Sequence, residues 1–379
     1  MNPLSIIRYY LNNKKRFISI VIVIALSVLL LYTIQMLLKS TDHAAYVVSV
    51  EPKKFFSSVG INETVLDKDI VNDLKKQNFA EKVLPAAVVK TNFTISFSPP
   101  QGAPIFMLKE NDIHQLMGRM NLKLVKGNLP KPGRHEVIIH RNISNNKKLK
   151  IGDKVGSKLD KDEWLEGEYE VVGIFEGSSV LGFSLLDDYM NDKHIRYEYI
   201  DAVIIPKKNK LEALNNYLES LPSHDGKLWI STYDSTKRSL ENVMESVYML
   251  LTTVNIMVIA IVSICIGFLC YIYFYQRRNE FGLLNAIGYT RQQIINRAFA
   301  EVCGMNIIGF ILGLILSMIV GNLLNIFLFA PKGQPLQLWD FDYITKTFCI
   351  PLFSILFGII PVWRMLKRLN PIAIIEGVV

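Results

Sequence analysis

Between Lys39 and Glu245 the sequence has no cysteine, so this long stretch cannot be stapled by disulfides. All four cysteines, Cys265, Cys270, Cys303 and Cys349, fall in apolar runs elsewhere. Charge imbalance is missing from the same stretch, where 29 Lys and Arg stand against 29 Asp and Glu. The surplus of the whole chain, +8, therefore sits in the remaining residues, which hold 13 basic and 5 acidic side chains. It flanks apolar runs, so it reads as a topology signal and implies no nucleic-acid partner. No Gly-x-x-x-x-Gly-Lys-Ser/Thr occurs in the 379 residues, so these residues contain no P-loop. No hydrolase constellation stands out, and no catalytic residue is assigned. All six histidines lie between Lys39 and Glu245. His135 and His140, five apart on an expected strand, point to opposite faces, so no metal site is assigned. No carboxylate lies in the middle of an apolar run, which argues against a proton-coupled carrier.

What is present is hydrophobicity gathered into blocks. Phe17–Leu38, Ser246–Gln276, Val302–Ala330 and Thr347–Trp363 are uncharged and long enough, or nearly so, to cross a bilayer. The first exceeds the apolar run of a cleavable signal, and no small-x-small site follows it, so it is expected to be retained. Basic residues mark one side: Lys14, Lys15 and Arg16 before the first run, Arg277 and Arg278 after the second, Arg364, Lys367 and Arg368 after the fourth. By that bias both ends are expected in the cytoplasm and the large segment outside.

The expected organisation is an amphipathic cytoplasmic segment at 1–16 carrying Leu4, Ile7 and Leu11, then a first membrane helix at 17–38. An extracytoplasmic domain with a stalk fills 39–245, and a second helix spans 246–276. A cytoplasmic segment at 277–301 precedes a third helix at 302–330, an outer loop at 331–346, a fourth helix at 347–363 and a cytoplasmic tail at 364–379. The fold class is therefore an α-helical membrane protein with four transmembrane helices plus an α+β extracytoplasmic domain. Within that domain, strands are expected at Tyr46–Val50, in Val83–Ile95, at Ala202–Ile205 and at Leu228–Ile230. Helices are expected at Glu63–Gln77 and Lys210–Leu221, making two β-α-β halves. A β-rich subdomain is inserted at about 105–183, with strands Glu136–His140 and Tyr169–Phe175 and a turn at Gly152-Asp153. Asp234–Glu245 reads as a helical stalk feeding the second span.

The segment between the second and third runs carries the most specific pattern. Gly288 suits the left-handed residue that ends a short helix, and Thr290 with Gln293 forms a capping-box pair starting the next. Phe281, Leu284 and Ile287 make an apolar stripe, either a membrane-surface face or a docking face for a partner. In the third run Gly309, Gly313, Ser317 and Gly321 recur every four residues, the spacing of close helix packing, within the chain or between copies. Gln35, Asn255, Asn306, Asn322 and Asn325 are polar residues expected to bond between helices.

The stretch Arg277-Arg278-Asn279-Glu280-Phe281-Gly282-Leu283-Leu284-Asn285-Ala286-Ile287-Gly288 resembles the hallmark of the FtsX/MacB-like family of ABC permeases, the type VII ABC transporters. Asn285 departs from the basic residue expected in many members, and Tyr289 from a small one. Gly127-Asn128-Leu129-Pro130, Glu136–Ile139, Leu149–Val155 and Tyr169–Phe175 follow the MacB-like periplasmic core pattern in order. Asn370-Pro371-Ile372 resembles the family's C-terminal proline signature. The resemblance implies that Glu280, Phe281, Gly282, Leu283, Ala286 and Gly288 form a coupling helix that docks an ABC ATP-binding subunit. It also implies a dimeric membrane part, formed with a second copy or a homologous permease. ATP and Mg would be used by the ATPase dimer, with no cofactor in this chain, and the motion would pass outward as mechanotransmission. The expected activity is export or extraction of peptide, drug or lipophilic cargo from a bacterial plasma membrane. Membrane lipid, and an extracytoplasmic adaptor, are the further partners. The alternative within the resemblance is an FtsX-like signal transmitter that activates a cell-wall hydrolase.

Overall fold

The computed structural model describes residue 10 and residues 14–62, 64–96, 101–221 and 227–368. Leu4, Ile7 and Leu11, and the Asn370-Pro371-Ile372 signature, lie outside the described residues. The chain divides into two compact units. One contains residues up to Leu38, Val247–Leu324 and the chain from Leu336 onward; the other contains Lys39–Ser246 with Asn325–Pro335.

The first unit is helical. Helix α1 is Lys14–Ser49, α7 is Tyr233–Tyr275, α8 is Arg278–Ala286, α9 is Arg291–Leu324, α10 is Phe341–Thr347 and α11 is Cys349–Arg368. Among the described residues, four helices are long and apolar enough to cross a membrane, in the segments Phe17–Ser49, Tyr233–Tyr275, Arg291–Lys332 and Phe341–Lys367. Their inner faces share one core in which Ile24, Val28, Cys270, Phe274, Val302 and Ile350 are buried. Asn306 lies in this core and accepts from the Ser354 hydroxyl, joining α9 to α11. The Tyr32 hydroxyl donates to the Leu338 carbonyl at 3.0 Å, and its ring meets Tyr343 edge-on at 5.4 Å.

The second unit is built on one ten-stranded mixed sheet. Its strands are β1 (Ser57–Ile61), β2 (Ala80–Phe93), β3 (Gln101–Leu108), β4 (Lys123–Gly127), β5 (Glu136–His140), β6 (Lys154–Val155), β7 (Tyr169–Glu176), β8 (Gly182–Leu185), β9 (Asp201–Pro206) and β10 (Leu228–Ser231). The order is β10-β1-β9-β2-β3-β8-β5-β7-β4, with β6 beside β7. The long strand β2 pairs with β9 through its first half and β3 through its second, so it joins the strands of the domain's two ends to those of the inserted part. Alternation sets the two faces. Ile105 and Met107 pack with Val137, Ile139 and Val171, while Phe106 and Leu108 pack with Ile138, Phe175 and Phe183. Both faces of β5 are covered, which is why all five of its residues are buried.

Helices α2 (Lys68–Lys76) and α6 (Leu211–Glu219) bury Val71, Leu74, Leu214 and Leu218 against Val59, Ala202 and Ile204. Asp67 caps α2 by accepting from the Asp69 amide at 3.0 Å, so that helix begins at Lys68 rather than near Glu63. The inserted part is less purely β than expected. It includes α3 (Glu110–Arg119) and α4 (Arg141–Lys147), and α5 (Leu186–Asp192) follows it. Ile113, Leu116, Met117 and Met120 give α3 a helical apolar face that is buried beneath Phe106 and Phe183.

Two further expectations change. Tyr46–Val50 is not a strand, since α1 continues through Ser49. Ala44, Ala45 and Val48 bury on one side of it with Phe93 and Ile105, and that tertiary contact overrides the β-branched run. The third apolar helix starts at Arg291, beside the expected capping box, and its regular α-helical part ends at Leu324, short of the end of the apolar run at Ala330. A π turn, Asn325–Phe329, and a 3-10 turn, Ala330–Lys332, follow, and Asn325–Pro335 belongs to the second unit. There the Gln334 Oε1 accepts from the Ser96 amide at 2.9 Å, and Asn146 Nδ2 donates to the Lys332 carbonyl at 2.9 Å. Gly333 is left-handed at φ +69°, and a Cβ there would meet the Asn142 carbonyl oxygen at 2.2 Å.

Candidate functional site

The site is α8, the short helix between the apolar helices α7 and α9. Its ends are local chemistry. Gly288 has φ +106°, and the Tyr289 amide reaches back to the Leu284 carbonyl at 3.1 Å, closing the helix. Thr290 Oγ1 accepts from the Gln293 amide at 3.3 Å, and Gln293 Oε1 accepts from the Thr290 amide at 2.9 Å. This reciprocal pair starts α9 as the sequence predicts.

The helix has an inner and an outer side, and the stripe read from the sequence does not lie on one of them. Phe281, Gly282 and Leu284 are buried. Phe281 stacks with Phe274 at 6.0 Å between ring centroids. Ile287 points away, 68% exposed, together with Leu283 at 59%. Ala286 and Gly288 are exposed as well. The structure therefore separates the six motif residues: Phe281 and Gly282 hold the helix, and Leu283, Ala286 and Gly288 face outward.

Glu280 belongs to neither side. It is the exposed corner of a charge network whose other three members are buried. Arg277 Nε donates to Glu280 Oε2 at 2.8 Å, and Arg277 Nη1 donates to Glu301 Oε2 at 2.5 Å. Arg297 Nε donates to Glu301 Oε1 at 3.1 Å, and Arg297 Nη2 donates to Glu280 Oε1 at 3.2 Å. The Arg277 guanidinium also lies 4.8 Å from the centre of the Phe281 ring. Tyr10 donates to the Glu301 carbonyl at 2.6 Å. Two arginines and two carboxylates balance, so the cluster is neutral; Arg277, Arg297 and Glu301 are buried, while Glu280 keeps 37% of its side chain exposed. The short turn after α7, α8 and α9 each contribute, and α8 is thereby fixed to both long helices. Sequence reading missed Arg297 and Glu301. Their signal was an i, i+4 opposite-charge pair at the mouth of an apolar run.

The small-residue row of α9 is fully used within the chain. Gly309, Gly313, Ser317 and Gly321 are all buried. A Cβ on Gly309 would meet Ile24 Cβ at 2.7 Å, one on Gly313 would meet Val28 Cβ at 2.5 Å, and one on Gly321 would meet Met36 Sδ at 2.8 Å. Ser317 returns its hydroxyl to the Gly313 carbonyl at 2.7 Å. The row is thus the seat of α1 on α9.

In the second unit the two histidines have separate partners. His135 Nδ1 lies 3.5 Å from Asp192 Oδ2. His140 Nδ1 accepts from the Asn142 amide at 3.1 Å, and its Nε2 lies 3.2 Å from the Gly177 carbonyl. Burial pushes the His140 imidazole down to about 4.

Comparison with known proteins adds a family. Residues 252–369 match the family model described as FtsX-like permease C-terminal. The macrolide export ATP-binding/permease protein MacB of Mannheimia succiniciproducens is 23% identical over 179 residues, covering 47% of this chain and 27% of that protein. Its namesake from Bordetella avium is 24% identical over 140 residues, covering 37% and 21%. The chain spans about a quarter of the length of these curated relatives. Among solved structures, the periplasmic region of MacB from Actinobacillus actinomycetemcomitans gives a TM-score of 0.31 at 15% identity, covering 50% of this chain and 94% of that one. The extracellular domain of the noncanonic ABC-type transporter YknZ from Gram-positive bacteria gives 0.27 at 11%, covering 46% and 98%.

Proposed function

We propose that this chain, an FtsX/MacB-like permease whose residues 252–369 form the FtsX-like domain, is the membrane subunit of an ATP-driven complex. In this reading α8 docks a separate ABC ATP-binding subunit. The observation that carries it is the two-sided character of α8. Its inner side is locked by Phe281, Leu284 and the Arg277–Glu280–Arg297–Glu301 network, while Leu283 and Ile287 stand exposed beyond it. A helix that rigid and that apolar outside suits a partner that pushes on it.

ATP and Mg²⁺ then belong to the partner dimer, and the permease works as a pair. Both chain ends and α8 lie in the cytoplasm of a bacterial plasma membrane, and the sheet-bearing unit lies outside. Helix α1 and helix α7 each run without a break from one unit into the other, which suits transmission of movement. The work done is export or extraction of peptide, drug or lipophilic cargo, helped by an extracytoplasmic adaptor.

The test is co-purification of the full chain with the ATP-binding subunit encoded beside it. Leu283→Glu with Ile287→Glu should abolish the complex and its permease-dependent ATPase activity, while the variant stays folded by circular dichroism. An intact complex with unchanged ATPase activity overturns the assignment.

A further inference from the structure

A groove of about 810 Å³ opens between α7 and α11 in the helical unit. Its length is chemically graded. Ile264, Phe268, Phe357 and Ile360 form apolar walls, each between 40% and 65% exposed. Tyr275, Arg278 and Arg364 close the end nearest α8. Gly267 makes the floor, since a Cβ there would come 3.0 Å from the Phe357 carbonyl oxygen. That carbonyl has lost its usual helical donor, because residue 361, four positions on, is a proline.

The two arginines are unlike those of the buried network. Arg277 and Arg297 each engage two glutamates. Arg278 instead stacks on Tyr275, 4.8 Å from its ring centre, and donates to its hydroxyl at 2.5 Å. Neither Arg278 nor Arg364 has an acidic partner among the described residues. Lys367 adds a third cation one turn on, 3.9 Å over the Trp363 ring, where interfacial aromatics and cations gather.

An apolar trough ending in two uncompensated guanidinium groups fits a molecule with an acyl tail and an anionic head. We propose that the groove binds an anionic phospholipid of the inner leaflet, its phosphate held between Arg278 and Arg364 and a chain lying along Phe268 and Phe357. The assignment rests on reading α7 and α11 as membrane spans with Arg278 on the cytoplasmic side. It does not depend on ATPase docking. Charge complementarity selects this occupant over a second copy of the chain. Among the described residues of the helical unit, Glu280 and Glu301 are consumed in the network. Asp340 and Asp342 lie before α11, whereas Arg364 lies in its last turns. A neutral lipophile would leave both guanidinium groups unmatched.

The experiment uses the full chain in nanodiscs of equimolar phosphatidylglycerol and phosphatidylcholine, with retained lipid read by native mass spectrometry after stepwise delipidation. The chain should keep phosphatidylglycerol over phosphatidylcholine by about tenfold. Arg278→Gln with Arg364→Gln should return retention to the bulk ratio, while Lys158→Gln, a charge change in the other unit, leaves it unchanged. Phe268→Trp localises the lipid: its added fluorescence should be quenched more by brominated phosphatidylglycerol than by brominated phosphatidylcholine. Equal retention of the two lipids, or a preference that survives the double substitution, overturns the proposal. So does added fluorescence in the Phe268→Trp variant that neither lipid quenches, the result expected if a second copy or the C-terminal residues cover the groove. An ATPase complex that survives Leu283→Glu with Ile287→Glu, with lipid preference intact, would overturn the docking reading alone.

Discussion

Glu301 is fully buried and touches two arginines, so its carboxylate is the hinge of the charge balance behind α8. Replacing it with glutamine leaves two guanidinium groups sharing the single carboxylate of Glu280. Breaking a buried network from one side costs roughly 3–5 kcal/mol, because the orphaned charge stays dry. Glu301→Gln should therefore lower the thermal stability of the purified chain sharply. Replacing both Arg297 and Glu301 with methionine should cost less than the sum of the two single changes, measured as a double-mutant cycle. His140 makes a second prediction at this scale. Its two ring nitrogens are both committed when neutral, one accepting from Asn142 and the other donating to Gly177. Its folded value of about 4 lies below the ordinary 6.5, so the unfolded chain binds a proton first. Stability is then complete above about pH 6.5 and falls as pH drops toward 4, by roughly 3 kcal/mol in all. His140→Asn, which keeps a side-chain acceptor for the Asn142 amide, should flatten that acid limb of the sheet unit's unfolding. An unaltered pH profile would disprove it.

At the scale of elements, the row Gly309, Gly313, Ser317 and Gly321 decides how close α1 and α9 lie. The contact at Gly313 is the least forgiving, since a new Cβ would meet Ala25's carbonyl oxygen at 2.8 Å as well as Val28. Gly313→Val should destabilise the helical unit by about 1–3 kcal/mol, the usual cost of overpacking. Gly304→Ala is the milder comparison, because the nearest atom to its Cβ is the outer end of the Tyr10 side chain. Equal melting temperatures for the two variants would contradict this packing. How much of these elements the sequence disclosed follows from where their signals lie. The four apolar runs, the left-handed Gly288 and the Thr290–Gln293 box are local patterns, and each was legible. The partner of the glycine row was not, because spacing alone does not say whether the facing helix is in the same chain. Nor was the inward turn of Phe281 and Leu284, since an apolar stripe on an amphipathic helix fits a protein core and a partner equally well. The Tyr46–Val50 run misled because β-branched residues favour strands locally, while Ala44, Ala45 and Val48 bury only through contacts distant in sequence. Helix α3 was legible only in the helical spacing of Ile113, Leu116, Met117 and Met120, a short signal inside an otherwise β-rich stretch.

At the scale of the whole molecule, the 43 residues of α7 pass from the sheet-bearing unit, which ends at Ser246 in this part of the chain, into the helical unit, which resumes at Val247. An α-helix carries force along its axis only while its hydrogen-bond ladder is continuous. Three glycines inserted after Ser246 interrupt that ladder, since glycine is the poorest helix former after proline and an insertion rotates everything beyond it. The insertion point lies outside the stretches of α7 that pack on the described clusters, which include Leu240 before it and Val258, Ile259, Val262 and Ile266 after it. If α8 receives the stroke of an ATP-binding subunit and α7 passes it on, the insertion should leave the complex assembled and hydrolysing ATP. Transport, read as export of a fluorescent lipophilic reporter from loaded cells, should fall by an order of magnitude or more. Three alanines in place of the glycines restore the ladder while keeping the rotation, and so separate continuity from register. Recovery with alanine identifies α7 as a strut that works by stiffness. Equal loss with both insertions would mean that facing, not stiffness, matters. Full transport with the glycine insertion would remove α7 from the path altogether, and α1, the other helix shared by the two units, would have to carry the movement alone.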